Sequence, residues 1–162
     1  MNILFAIIIA IILFDFIFEK ILDFLNLKNL SPEIPKEAEG IYDAEKYKKS
    51  QEYYRVNHNF SMLTSAVSLV LILVMLYLNG FAYVDLLVRN YTGNPILMAL
   101  LFFGILGFAS DIIRIPFSIY ETFVIEEKFE FNKTTIKTFI LDKIKGYMLA
   151  MIIGGGFLAR ER

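Results

Sequence analysis

The chain has 162 residues, of which 57% are hydrophobic and 20% charged, a balance that soluble domains of this length rarely show. The 16 basic and 17 acidic residues nearly cancel, so no basic excess is available to neutralise phosphates and nucleic acid is not expected as a partner. Cysteine is absent and histidine occurs once, which excludes disulfides, thiolate metal sites and cysteine nucleophiles.

The N-terminal segment predicts a first transmembrane helix over residues 1–26. An unbroken apolar run from Ile3 to Phe14 continues past Asp15 to a length that spans a bilayer. No basic residue precedes this run and no small-residue cleavage site follows it, so we expect a retained helix rather than a signal peptide. Asp15, Glu19 and Asp23 recur every four residues and share one face, which should be turned toward protein or water.

The strongest predicted span follows a polar stretch. Residues 27–59 contain charges of both signs and two prolines, which indicates a cytoplasmic solvated loop followed by a polar helix. Residues 60–84 carry no charged side chain. About 20 apolar residues are enough to cross the hydrocarbon core. Asn79-Gly80 is a candidate end for this second span, and residues 85–95 are predicted to form a polar external connection.

Two weaker spans complete the prediction. The third, residues 96–119, reaches bilayer length only if Asp111 and Arg114 are included; they lie three residues apart, where an ion pair would offset most of the cost of burial. Pro116 is expected to bend or end this helix. The charged segment 120–138 then forms a cytoplasmic loop, and the fourth span, residues 139–159, needs Lys143 and Lys145 to extend toward the interface.

The distribution of basic residues predicts the orientation in the membrane. Six of them lie from Lys28 to Arg55 and six from Arg114 to Lys145, whereas Arg89 alone lies between the second and third spans. By the positive-inside rule both termini then face outside. The fold class predicted is all-α, a polytopic membrane bundle of about four transmembrane helices. The expected location is a bacterial inner membrane, or the endoplasmic reticulum membrane in a eukaryote.

Aromatic and polar residues in 120–145 form the most distinctive pattern. It reads Phe123, Ile125, Glu126, Phe129, Phe131, Asn132 and Thr135, followed by Asp142 and Lys145. This pattern resembles that of the CAAX prenyl proteases, integral membrane zinc metalloproteases that cut prenylated C-termini. Glu130 stands where the family usually has Gly, so a less tight turn is expected there. A second set of matches resembles the family's polar helix: Tyr42, Lys46, Ser50, Gln51, Tyr54 and Phe60.

The resemblance implies a role within a larger enzyme. In that family the N-terminal helices form part of a helical barrel that walls an intramembrane chamber, and the loop before the fourth helix helps to dock the catalytic domain. Substrates would be lipidated or membrane-associated peptides. The residues expected to serve structure or docking are Glu126, Phe129, Phe131, Asn132, Thr135, Asp142 and Lys145. The candidates for lining the chamber are Asp15, Glu19, Asp23, Asp111 and Arg114.

Catalysis is not expected from this chain by itself. The family's zinc site uses a His-Glu-x-x-His helix and a distal Glu, and His58 alone cannot supply two imidazoles one helical turn apart. We therefore expect no catalytic residue, no metal ligand and no cofactor here, with zinc confined to the full-length enzyme. The chain is interpreted as an N-terminal fragment or a stand-alone N-terminal domain.

Other interpretations stay open. The acidic stripe on the first helix and the pair of Asp111 with Arg114 could belong to a small ion or proton transporter. A membrane adaptor that scaffolds a separate protease subunit would have the same sequence features as the fragment. On physical grounds alone the segment from Glu126 to Thr135, called the motif segment below, is a polar connection in which Asn132 is a candidate helix cap.

Overall fold

The computed structural model describes residues 2–31, 34, 40 and 43–159, and every regular element in that part of the chain is helical. The five α-helices are α1 (Ile3–Lys28), α2 (Ala44–Tyr77), α3 (Gly80–Tyr91), α4 (Pro95–Tyr120) and α5 (Ile136–Ala159). A π-helix, Glu121–Glu126, continues α4. The all-α prediction is confirmed.

α2 unites the polar segment and the second span in one helix of 34 residues. Asp43 caps its start, since a carboxylate oxygen accepts from the N–H of Lys46 at 3.0 Å. The helix ends at Tyr77, earlier than the predicted boundary at residue 84. Asn79 then takes a left-handed conformation with a φ of 54°, which Asn tolerates better than most residues. The chain therefore turns at the predicted Asn79-Gly80 signal.

The structure has a helix, α3, where a loop was predicted over residues 85–95, and the external side of this connection stays a prediction. Its apolar residues Phe81, Val84 and Val88 lie on one side, and Val88 is only 2% exposed. Asp85 pairs with Arg89 at 2.7 Å, one turn further along the same helix. The polar residues suggested a loop, but their helical spacing leaves a continuous apolar face that packs against α2 and α4.

Pro116 was expected to bend or end α4, and the structure shows that it does not end the helix. The helix continues to Tyr120, through the π-helix and on to Lys128. The predicted loop 120–138 is therefore helical over most of its first half, and only residues 129–135 connect to α5. Proline is tolerated within membrane helices where neighbouring groups or a local π adjustment satisfy the backbone that it frees, and here a π-helix begins five residues after Pro116.

The surface of the bundle is largely apolar. In the described part of the chain, two helical stretches have the length and composition to cross a membrane, namely Ala44–Tyr77 and Pro95–Glu126. Large side chains on α5 are exposed; Met151 and Ile152 are each 68% exposed. Such a surface requires lipid or further protein around it.

Candidate functional site

Helices α1, α2 and α4 and the π-helix surround an open cavity of about 990 Å³. Most of its wall is apolar, and the aromatic rings of Phe60 and Phe117 join α2 to α4 along it, with centroids 6.3 Å apart. A polar band interrupts the apolar wall. It consists of Asp15, Glu19, Thr64, Ser65, Ser68, Ser110, Arg114, Ser118 and Glu121.

The predicted chamber residues divide into two groups. Asp15, Glu19 and Arg114 line the cavity. Asp23 does not line the cavity. Its carboxylate accepts a hydrogen bond from the ammonium of Lys20 at 2.8 Å. The same ammonium lies 3.3 Å from the hydroxyl of Ser65, which ties α1 to α2. Asp23 is therefore part of a helix contact.

Asp111 pairs with α5 instead of with Arg114. Its Oδ1 accepts from Nζ of Lys143 at 2.5 Å, and its Oδ2 accepts from the hydroxyl of Tyr147 at 2.5 Å. The ring of Tyr147 also packs against Phe108 of α4, with centroids 5.3 Å apart. The predicted ion pair between Asp111 and Arg114 is therefore wrong, whereas the extension of Lys143 toward the membrane interface stays a prediction. Spacing along one helix shows which residues share a face, but a neighbouring helix can offer better donors.

The motif segment closes the helical end with a complete Schellman turn. The N–H of Phe131 donates to the carbonyl of Glu126 at 2.9 Å, and the N–H of Glu130 donates to the carbonyl of Glu127 at 3.0 Å. Glu130 takes a left-handed conformation with a φ of 59°. The expected looser turn is therefore not found, because Glu130 adopts the conformation that Gly would adopt most readily.

Glu130 also reaches across to α2. Its carboxylate forms an ion pair with the ammonium of Lys49, and the hydrogen bond from that ammonium lowers the pKa of the Glu130 carboxyl below its ordinary value. Both groups are open to solvent, with the Glu130 side chain 82% exposed. The pair therefore guides the turn toward α2 but contributes little stability by itself.

Replacing Glu130 with Gly should stabilise the protein and raise its melting temperature in detergent by a few degrees. The substitution removes an exposed ion pair of small worth, and it relieves the cost of a left-handed conformation at a residue with a side chain. Lys49→Gln is the control, because it removes the same ion pair and leaves the backbone strain in place. A Glu130→Gly variant that melts below Lys49→Gln would contradict the assignment of strain.

An aromatic cluster of Tyr53, Phe129 and Phe131 fixes the motif segment to α2. The ring of Tyr53 meets Phe129 at 5.6 Å and Phe131 at 4.9 Å between centroids, both edge to face. Phe129 is 5% exposed and its neighbour on the π-helix, Ile125, is 3% exposed. These are among the most buried side chains that the structure describes. Phe129 and Ile125 therefore form the buried part of this contact.

Tyr53 was missed in the sequence, where its neighbour Tyr54 was matched instead. Tyr54 is 46% exposed and stacks on His58. Tyr53 lies four residues after Lys49, so these two share the α2 face that meets the motif segment. That periodicity is the signal that could have identified it.

The other motif residues shape the connection to α5. Asn132 does not cap a helix; its amide donates to the carboxylate of Glu127 at 2.8 Å, and its oxygen accepts from the N–H of Thr134 at 2.7 Å. Thr135 precedes α5, and its hydroxyl accepts from the N–H of Thr138 at 3.2 Å. Two further residues, Asp142 and Lys145, form an ion pair of 3.5 Å on α5. Tyr42 lies outside the described residues.

The described residues do not fit a zinc site. Within them, no group of three or more His, Cys, Asp or Glu side chains is placed to hold a metal ion. The imidazole of His58 stacks parallel to the ring of Tyr54, 6.5 Å away. Since a protein zinc site takes at least three side-chain ligands, no chemical step can be assigned to zinc on these residues.

The comparisons with known proteins agree with this geometry. The family model for the CAAX prenyl protease N-terminal region, described as five membrane helices, matches residues 23–160. The chain belongs to this family. It is therefore a multi-pass membrane protein, and the resemblance found in the motif residues is confirmed. The sequence predicted about four spans, and the additional helix within the described residues is α3.

Relatives of this family are longer than the chain. CAAX prenyl protease 1 homolog from Oryza sativa is 35% identical over 152 residues, and CAAX prenyl protease 1 from Saccharomyces cerevisiae is 34% identical over 155 residues. Each alignment covers 89% of this chain but only 36% and 34% of the relatives, respectively. The crystal structure of Ste24p from S. mikatae matches with a TM-score of 0.84 at 32% identity, over 98% of this chain and 39% of that one. The chain thus spans about a third of its relatives' length.

Proposed function

We propose that this chain is the membrane part of a CAAX prenyl protease-like zinc endopeptidase and walls one side of its intramembrane chamber. The cavity between α1, α2 and α4 carries the proposal, because Asp15, Glu19 and Arg114 line it while large apolar side chains cover the outside of the bundle. Ionisable groups within membrane helices belong next to water or protein. Lipidated or membrane-associated peptides are the substrates that such a chamber would admit, and zinc would be held by the catalytic domain.

The motif segment is the proposed docking surface for that domain, whether the domain follows in the same polypeptide or belongs to a separate subunit. The contacts of Lys49 and Tyr53 with the motif segment bring the two basic parts of the chain to one end of the bundle. Phe5 contacts Tyr77 at 5.8 Å, so the N-terminal end of α1 lies at the opposite end. This supports a cytoplasmic motif segment and an N-terminus outside. Phe131 and Ile136, 45% and 66% exposed, offer apolar contacts for docking.

The natural absence of cysteine makes the chamber testable by thiol accessibility. Ser68→Cys and Ser118→Cys place a thiol on the cavity wall, and Phe103→Cys places one on an outward side chain that is 70% exposed. In bilayer nanodiscs, a charged thiol reagent should modify the cavity positions at least about tenfold faster, because the reactive thiolate forms in water and not in lipid. Equal modification of all three variants would contradict a water-filled chamber.

We also propose that the chain is not catalytic by itself. Purified chain supplied with zinc and a lipidated peptide should leave the peptide intact. Cleavage that a chelator abolishes would overturn this.

The transporter alternative has its own readout, since Asp15→Asn with Glu19→Gln should leave ion flux through liposomes unchanged. A flux that these substitutions abolish would favour the transporter.

A further inference from the structure

Arg114 is a cation in the cavity without an ion-pair partner among the described residues. It lies within α4, three residues after Asp111, whose charge acts on it at longer range but whose two carboxylate oxygens are bonded to α5. The acids that share the cavity wall with it are Asp15, Glu19 and Glu121. None of them lies within 4.0 Å of the guanidinium, the reach of an ion pair. The guanidinium is therefore available to a ligand.

The Arg114 side chain is exposed on the wall of the open cavity, so a ligand that enters the cavity can reach it. The planar guanidinium presents two parallel N–H donors that match the two oxygens of a carboxylate. We infer that Arg114 is a carboxylate-binding subsite of the cavity, and that it takes the C-terminal carboxylate of a bound peptide. This inference rests on the proposed function, because it requires that peptides enter the chamber.

The surrounding acids would confine the carboxylate to this position. Asp15 and Glu19 on α1 and Glu121 on the π-helix make the rest of the ionisable wall negative. A peptide carboxylate placed near any of them is repelled, whereas Arg114 attracts it. The same acids would therefore set the direction in which a peptide lies in the cavity, with its C-terminus toward α4.

The inference predicts how the chain distinguishes two forms of one peptide. A fluorescent lipidated peptide is prepared with a free C-terminal carboxylate and with a C-terminal amide, and binding to the chain in nanodiscs is measured by anisotropy. Wild type should bind the carboxylate form about tenfold or more tightly, as expected for charge-assisted hydrogen bonds. Arg114→Gln should reverse this preference, because the three acids remain.

Control variants separate the subsite from general effects of charge and folding. Arg89→Gln removes a cation on α3 that is paired with Asp85 and lies outside this cavity, so the preference for the carboxylate should persist. Arg114→Lys keeps the charge but loses the paired donors, and it should retain part of the preference. Size-exclusion profiles and melting temperatures that match wild type show that each variant is folded.

The outcomes distinguish this inference from the proposed function. If wild type binds both peptide forms equally well, the carboxylate subsite is wrong and the chamber proposal stands. If Arg114→Gln keeps the preference for the carboxylate form, the subsite is likewise wrong. If neither form binds to folded wild type, the proposed chamber for lipidated peptides is contradicted.

Discussion

Phe129→Ala should lower the free energy of unfolding by about 3–5 kcal/mol, the range for removing a buried aromatic ring. Phe129 is 5% exposed and lies against the ring of Tyr53, so truncation leaves a gap at the junction of the π-helix, the Schellman turn and α2. The measurement is unfolding of the purified chain in mild detergent, followed by helical signal and by proteolysis of the connection before α5. The cut should appear at residues 129–135 before the rest of the chain unfolds.

Matched variants test whether burial is the cause. Phe131→Ala removes a ring that touches the same Tyr53 but is 45% exposed, so its loss should be smaller. Phe103→Ala removes an outward ring and should have little effect. A double-mutant cycle of Phe129→Ala with Tyr53→Ala should show a coupling of about 1 kcal/mol for the edge-to-face pair. Additive losses would mean that the two rings do not cooperate.

Asp111→Asn should loosen α5 from α4 and destabilise the protein by about 1–2 kcal/mol, as interhelical hydrogen bonds do in membranes. Lys143 and Tyr147 both donate to this carboxylate, and the amide cannot replace its charge. α5 is exposed over most of its length, so this polar contact holds it in place. Hydrogen exchange of α5 in nanodiscs is the measurement, and exchange should accelerate along that helix.

Asp142→Asn is the control for Asp111→Asn. Asp142 is an acid on α5 itself, paired with Lys145 and 62% exposed, so neutralising it should leave both stability and exchange nearly unchanged. If the two variants behaved alike, the link between α4 and α5 would have to come from apolar packing, of which the contact of Phe108 with Tyr147 is the clearest example.

Local patterns predicted some elements well and misled for others. The charge-free stretch that begins at Phe60 lies in a long helix, as its composition required, and Asn79-Gly80 marked the turn. The polar residues suggested a loop where α3 forms. Asp85 and Arg89 are four residues apart, a spacing that also fits one face of a helix. Pro116 suggested a bend or an end, and the helix does not end there, because the effect of proline depends on whether neighbouring groups satisfy the backbone that it frees.

The site was predictable only in part, for a similar reason. Asp15 and Arg114 could be assigned to a polar interior, because a charge in an apolar segment has few other places to go. The partner of Asp111 could not be assigned, because Lys143 is 32 residues away and meets it only once α5 lies against α4. The contact between Tyr53 and Phe131 likewise depends on how the Schellman turn returns the chain to α2.

By itself, the sequence determined the helical class, the membrane location and the family, because hydrophobicity, helical period and a residue motif are all local properties. The tertiary structure decided which charges pair and which remain open to the cavity. Pairing depends on the distance and rotation between helices that are far apart in the chain. The spacing of residues along one helix determines neither quantity. The proposed role of Arg114 depends on this pairing, because both carboxylate oxygens of Asp111 are bonded to α5.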